Sequence, residues 1–346
     1  MAKFTNFSTF GNELYTGKRS YDFIGRRRIW FIIAAVLVIG SILVPVIKGG
    51  FNLGIDFRGG SEFTVSKVKD TSTTIGEQAV AAATGGKVAR VANVAGDSMQ
   101  VQTDTLSDDQ TLKVKEALVK AYGVSEGDVT STFVGPTWGA DVTKQALIGL
   151  VVFVVLATVL MALYFRTWKM SLAAIIGMLF VQITTAGIYA VTDVEVTPSA
   201  IIGFLTILSY SLYDIVVVFD KIRENTSDIR TSSRRSFGSE VNLAVNQTLV
   251  RSINTSMVAL LPVASILFIG SFLLGAGTLR DLSLSLFIGI IVGALTTIFI
   301  AAPLYALFRQ NEPELLKQAD RVQARIAAQS KEESESGSVE AVEAKA

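Results

Sequence analysis

The chain has 346 residues, 50% of them hydrophobic and only 18% charged, with a net charge of +1. That apolar share excludes an ordinary pair of soluble domains, and the near-zero net charge excludes a global basic field that would recruit nucleic acid. Cys and His are both absent, which removes disulfides, thiol nucleophiles, the usual zinc sites and histidine relays, so no metal or other cofactor is expected and proton chemistry falls to carboxylates, Arg, Tyr and water.

Residues 1–28 are polar and end in Arg26, Arg27 and Arg28, and the apolar run behind them, Ile29 to Ile47, is too long for a signal-peptide core and has no small-residue cleavage site. It reads as an uncleaved first transmembrane helix, 29–47. Next comes Gly54-Ile55-Asp56-Phe57-Arg58-Gly59-Gly60. Three glycines around an acid and a base suggest a tight turn with Asp56 accepting from backbone amides; a phosphate loop is excluded because no helix follows at the required spacing.

Residues 48–143 are long enough to fold as a domain. Alternating or β-branched runs at Glu62 to Val68, Lys87 to Val94, Ser98 to Thr103 and Val129 to Val134 predict strands, and Thr73 to Thr84 and Ser107 to Tyr122 predict helices. The order βαββαβ is that of the ferredoxin-like split unit, two helices on one face of a four-stranded antiparallel sheet. Ser107 supplies an N-cap to the second helix and Gly123 its stop. With no catalytic constellation in it, this domain reads as an interaction module, and the chain is not expected to be an enzyme.

Five more uncharged stretches occupy 144–308: Gln145 to Phe165, Met170 to Thr192, Val196 to about Phe219, Ser252 to Leu279, and Leu282 to Phe308. Arg166 and Lys169 follow the second span, and the loop 221–251 carries Lys221, Arg223, Arg230, Arg234, Arg235 and Arg251. The turn at Asp193 and Glu195 has no Lys or Arg, and the turn near Gly275 has only Arg280. The positive-inside rule then places both termini in the cytoplasm and 48–143 outside an inner or plasma membrane. The fold class is a mainly α membrane protein with six transmembrane helices and an α+β, ferredoxin-like extracytoplasmic domain. The tail 309–346 reads as cytoplasmic, helical to about Ala328, and disordered from about 330, where Ser and Glu dominate.

Asp214 is the sharpest chemical feature. It lies sixteen residues past Pro198, about 24 Å along a helix, so it is inside the membrane, where an acid is costly and is a functional candidate by default. Tyr210 and Ser211, one turn back, share its face. The alternative is a structural carboxylate held for packing specificity. Asp220, beside Lys221 and Arg223, reads as a solvated or loosely paired interfacial acid. Gln247, Thr248, Arg251, Asn254 and Thr255 form a polar stripe leading into the fifth span, which makes Arg251 the expected partner of Asp214, with snorkelling to the interface as its alternative. Gly289 and Gly293 in the sixth span form a helix-packing pattern.

Two of these segments together resemble the SecF family of protein-export subunits. Gly54 to Gly60 looks like its Gly-Ile-Asp-Phe-x-Gly-Gly motif, so Gly54, Asp56, Arg58, Gly59 and Gly60 fall on it, and Tyr210 to Asn225 (YSLYDIVVVFDKIREN) looks like its fourth-span signature. Asn246 to Ser256 is similar to its fifth-span start. Ser209, Tyr213, Ile215 and Lys221 depart from the commoner family residues. The resemblance implies a complex with SecD, whose six spans complete an RND-type bundle of which this chain is half, beside the SecY/SecE/SecG channel and accessory translocon membrane proteins. It implies use of the proton motive force for late steps of preprotein translocation, with Asp214 and Arg251 on the proton path, Tyr210, Ser211, Asp220, Gln247, Asn254 and Thr255 as accessories, and the outer domain touching the emerging chain. The other expected contact is membrane lipid.

Three rivals share the pattern. An exporter of small solutes needs more outer domain or cavity than some ninety residues provide. An intramembrane aspartyl protease needs a second acid at the depth of Asp214 on another helix, and no span offers one. A passive assembly factor would keep Asp214 as a structural group.

Overall fold

The computed structural model of the protein describes residues 4–165, 167–271 and 277–343. Arg166 and the expected turn near Gly275 lie outside the described residues. Among those described, six helices are long and apolar enough to cross a membrane: Arg27–Lys48, Thr137–Phe165, Trp168–Thr192, Pro198–Asn225, Phe237–Gly270 and Leu279–Arg309.

The chain opens with helix α1 (Phe4–Thr16), then α2 (Arg27–Lys48), a one-turn helix α3 (Ile55–Arg58) and strand β1 (Gly60–Val65). There follow α4 (Thr73–Thr84), β2 (Arg90–Ala95), β3 (Ser98–Thr103), α5 (Asp108–Tyr122) and β4 (Val129–Val134). The remaining helices are α6 (Pro136–Phe165), α7 (Trp168–Thr192), α8 (Pro198–Asn225), α9 (Phe237–Ser265), α10 (Gly277–Thr296), α11 (Ala302–Arg309) and α12 (Pro313–Glu343). A π-helical turn, Ile266–Ser271, extends α9, and another, Thr297–Ala301, joins α10 to α11.

The small sheet is antiparallel in the order β2-β3-β1-β4, the ferredoxin-like arrangement. Strand alternation sends Phe63, Val65, Met99 and Val101, all fully buried, to one face, where Val80 of α4 and Val114 and Leu118 of α5 close a separate core. Register fixes the polar face: Glu62 pairs with Gln102 and Thr132 across neighbouring strands, so Glu62, Gln100 and Gln102 look the other way, toward one end of the helix bundle. The expected cap is formed, since the Ser107 hydroxyl accepts from the Gln110 amide and the Gln110 side chain accepts from the Ser107 amide, while Gly123 ends α5 at φ 64°.

In the bundle, α7, α8 and α10 are the inner elements, and α2, α6 and α9 leave broad apolar faces uncovered. Small residues let the inner helices approach: a Cβ on Gly289 would stand 2.1 Å from Ile207 Cδ1. The second span begins earlier than expected. Its helix starts at Pro136, one residue after β4, and the polar turn Thr137 to Lys144 is helical because it lies on the sheet domain, where a Cβ on Gly139 would stand 2.6 Å from the Phe57 carbonyl oxygen.

Both termini hold more structure than their polar composition suggests. Leu14 of α1 is fully buried, Gly11 rests on Val250, and the Gln247 Nε2 donates to the Tyr15 carbonyl at 3.0 Å. At the other end α12 runs past the expected stop near Ala328 to Glu343, its Glu, Lys and Ala residues being good helix formers. Its first turns dock: Leu315 and Val322 are buried, and the Gln318 amide donates to the Ser232 and Arg235 carbonyls at 3.2 and 2.7 Å.

Candidate functional site

Helix α8 runs from Pro198, with the Thr197 hydroxyl capping its first turn through the Ala200 amide. Its buried stripe, Gly203, Ile207, Ser211, Asp214, Val218 and Ile222, has helical spacing, which is why Asp214 faces the interior at 2% exposure. The Asp214 Oδ1 accepts from the Ser252 hydroxyl of α9 at 3.0 Å. Its Oδ2 is buried with no hydrogen-bond partner among the described residues. The Thr297 hydroxyl, which donates to the Gly293 carbonyl at 3.1 Å, also lies against the carboxylate from the π-helical turn after α10. A carboxylate with one oxygen held by a hydroxyl and the other open can accept a proton without unmaking its anchor. Among the described residues no second acid acts on it, so they do not build the dyad of an aspartyl protease.

Among the described residues Arg251 makes no direct hydrogen bond or ion pair with Asp214, although its charge reaches the carboxylate. The inward residues of α9 are Val241, Ala244, Val245, Thr248 and Ser252, so the buried face passes one residue beyond Arg251, and Arg251 and Asn254 are exposed. Thr255 donates back to the Arg251 carbonyl at 2.9 Å, and Gln247 binds α1 and accepts from Asn225 at 2.9 Å. The polar stripe is therefore mostly an outward face. Tyr210 and Ser211 do not bond Asp214 either: the Tyr210 hydroxyl donates to Ser256 at 2.9 Å, and the Ser211 hydroxyl is buried with no partner among the described residues. Asp220 accepts from the Tyr164 hydroxyl at 2.6 Å at the bundle rim.

Sequence reading missed Ser252 and Thr297, the two hydroxyls at the carboxylate. Only the phase of α9 separates Ser252 from Arg251, and a charge draws the eye before a hydroxyl. Ser252→Ala removes the donor to a buried acceptor and is expected to cost about 1–2 kcal/mol, read as a lowered unfolding midpoint of the detergent-purified chain; an unchanged midpoint would show the bond to be incidental.

The Gly54–Gly60 segment is not a simple turn. Residues 55–58 make one helical turn between Gly54 and Gly59, and no amide bonds the Asp56 carboxylate among the described residues. The segment instead joins the domain to the bundle. Gly54 N donates to the Val196 carbonyl at 3.0 Å, Val196 N donates to the Asn52 carbonyl at 2.8 Å, and Leu53 and Val196 form a parallel bridge. Above that bridge the Gln102 Nε2 is shared by Glu62 Oε2 at 3.0 Å and Glu195 Oε1 at 2.7 Å, and the Arg58 guanidinium donates to Gln102 Oε1 at 2.9 Å. Thr197 donates to the Asp281 carboxylate at 2.9 Å, and Arg280 donates to the Val94 carbonyl at 3.0 Å.

Three acids, Glu62, Glu195 and Asp281, thus meet at this seam with Arg58 and Arg280. Burial pushes the Glu195 carboxyl above the usual carboxylate range; the Gln102 bond works against this, and the charges of Glu62 and Asp281 add to it. A raised value means the docked seam favours the protonated form. Its stabilisation is complete below the free-carboxylate range and is lost as pH rises through the shifted value. Labels on Glu77→Cys and Val191→Cys, in a chain with no native Cys, are expected to separate as pH rises above the free-carboxylate range, and Glu195→Gln to flatten that dependence. A distance that does not change with pH would remove the seam's titration.

Comparison with known proteins places this geometry. Residues 114–311 match the model of protein export membrane protein SecD/SecF, C-terminal, and residues 47–66 match the SecD/SecF GG motif. A protein translocase subunit SecF of Streptomyces coelicolor is 42% identical over 326 residues, covering 93% of this chain and 86% of that protein. The corresponding subunit of Mycobacterium tuberculosis is 41% identical over 314 residues, 88% of this chain and 70% of that one. Among solved structures, SecDF, a translocon-associated membrane protein from Thermus thermophilus, superposes with a TM-score of 0.75 at 28% identity. The match covers 85% of this chain and 39% of that longer chain.

Proposed function

The chain belongs to the SecD/SecF family of protein-export membrane proteins, and on that premise we propose that it is a SecF-type translocase subunit that works with SecD to couple the proton motive force to preprotein movement through the SecY channel. The observation that carries the coupling role is Asp214: a 2%-exposed acid inside a membrane helix, anchored through one oxygen and open at the other. Transport, not catalysis, is the role shared by its named relatives.

In this reading both termini are cytoplasmic and the sheet domain is outside. Arg26, Arg27, Arg28, Lys169, Arg223 and Arg235 gather at the bundle end away from the sheet domain, in support of it. Proton arrival at Asp214 neutralises it, weakens its hold on Ser252, and lets α9 shift against α8. The far end of α8 follows Val196 by two residues, so a shift there acts on the seam with the sheet domain. Arg251 and Asn254, exposed on a helix whose membrane window is 6% buried, mark the face that the SecD half would cover, because an uncovered Arg in hydrocarbon is expensive.

The test is export of a secreted reporter in cells depending on this chain, with the proton gradient intact or collapsed. A rate that falls on collapse supports coupling. A rate indifferent to the gradient makes the chain a passive assembly factor.

A further inference from the structure

We propose that the basic end of the bundle carries a binding site for an anionic glycerophospholipid, with its phosphate held by Arg27 and Arg28 and one acyl chain laid in the cleft between α2, α7 and α10. Two cavities on neighbouring turns of α2 make the site. The first, about 610 Å³, is polar and lined by Ser20, Asp22, Arg27, Arg28, Ser239 and Asn242. The second, about 350 Å³, is almost wholly apolar and lies between Trp30, Ala34 and Leu37 of α2, Phe180 of α7, and Leu295 and Phe299 of α10 and its π-helical turn.

Helical spacing joins them. Arg27, Trp30, Ala34 and Leu37 are separated by three, four and three residues, a single stripe of α2, so the guanidinium stands one turn, roughly 5 Å, above the mouth of the apolar cleft. The cleft then continues about 10 Å to Leu37, a length that takes the upper part of an acyl chain. Between head and tail sits an indole. The Trp30 Nε1 is buried and has no acceptor among the described residues, with its ring held 4.5 Å from that of Phe299. A glycerolipid places ester carbonyls at that depth, between phosphate and chain, beside the Trp30 ring that lines the cleft.

Charge at the mouth suits a phosphate. Arg28 is exposed and makes no ion pair among the described residues, and Arg27 uses one guanidinium nitrogen on Gln310, leaving others free. Asp22 also lines the polar cavity, but its carboxylate accepts from the Gly25 amide at 2.7 Å. The lining charge is one acid against two bases, net +1, on a surface with Arg26 beside it. Basic pockets between spans are the usual receptors for anionic headgroups.

Trp30 is also the reporter. In the full chain carrying Trp138→Phe and Trp168→Phe it is the one tryptophan of three that remains. The chain is reconstituted in phosphatidylcholine vesicles with a few per cent of phosphatidylglycerol or phosphatidylcholine brominated on the acyl chain. Brominated phosphatidylglycerol is expected to quench Trp30 as though enriched roughly thirtyfold, the scale that two basic groups supply at about 1 kcal/mol each, and brominated phosphatidylcholine as its bulk fraction dictates. Arg27→Gln with Arg28→Gln should abolish the difference, and Arg27→Lys with Arg28→Lys should keep it. Equal quenching by the two lipids in the chain with both arginines overturns the proposal without relying on any arginine variant. Reversal of the quenching by millimolar inorganic phosphate assigns the arginines to a free phosphate group and also overturns it.

Discussion

Asp214→Asn is expected to abolish the gradient-driven part of export. One charge moving through 100 mV carries about 2.3 kcal/mol, which bounds the ratio between energised and uncoupled export at about fiftyfold; the variant should bring that ratio to one. Asn has the shape of Asp and still accepts from the Ser252 hydroxyl, so helix contacts and assembly with SecD should persist, which co-purification would check. What Asn cannot do is bind or release a proton. Lost gradient dependence with an intact complex therefore isolates the proton step, whereas full gradient dependence in the variant returns Asp214 to a structural role.

Gly60→Ala is the second large effect. Gly60 opens β1 at φ +144°, a conformation that L side chains rarely adopt, and a Cβ there would stand 2.5 Å from the Thr103 carbonyl oxygen of the neighbouring strand. Backbone lines that contact, so no side-chain rotation relieves it. The strain and the broken β1–β3 pairing together are expected to cost about 3 kcal/mol or more. Urea titration of the detergent-purified chain, followed by a probe in the sheet domain, should show that domain's midpoint fall while the helical signal of the spans holds. Gly85→Ala, at a positive φ but with open space around its Cβ, is the control for the dihedral term alone and should cost less.

The elements with strong periodicity were legible in the sequence. Six spans and the βαββαβ order follow from apolar run length and from the switch between the two side-chain periods, and Ser107 and Gly123 mark their helix ends by their chemistry. Asp214 was legible because an acid in a span has few alternatives. Its neighbours were not: which residue of α9 meets it depends on helix phase, and a rotation of 100° separates Arg251 from Ser252. Thr297 was hidden for a related reason, since it sits on a π-helical turn that resets the phase of the last span. The seam of Glu62, Gln102 and Glu195 joins residues far apart in the chain, and no local pattern announces it. The motif around Gly54 was visible as glycine-rich, but its role in admitting the Val196 backbone and the Gly139 turn emerges only with the fold.

Gly135 alone separates the end of β4 from the start of α6. A linkage with one residue has almost no slack, so strand and span behave as one crank. The thirty residues of α6 form an arm about 45 Å long, and tilting it by about 10° swings its tip by about 8 Å. Beside the start of α6 the segment around Leu53 is stitched to Val196 by backbone bonds. With one fixed pivot and one stiff arm, a modest lean of α6 is geared into a rotation of the whole domain by geometry alone.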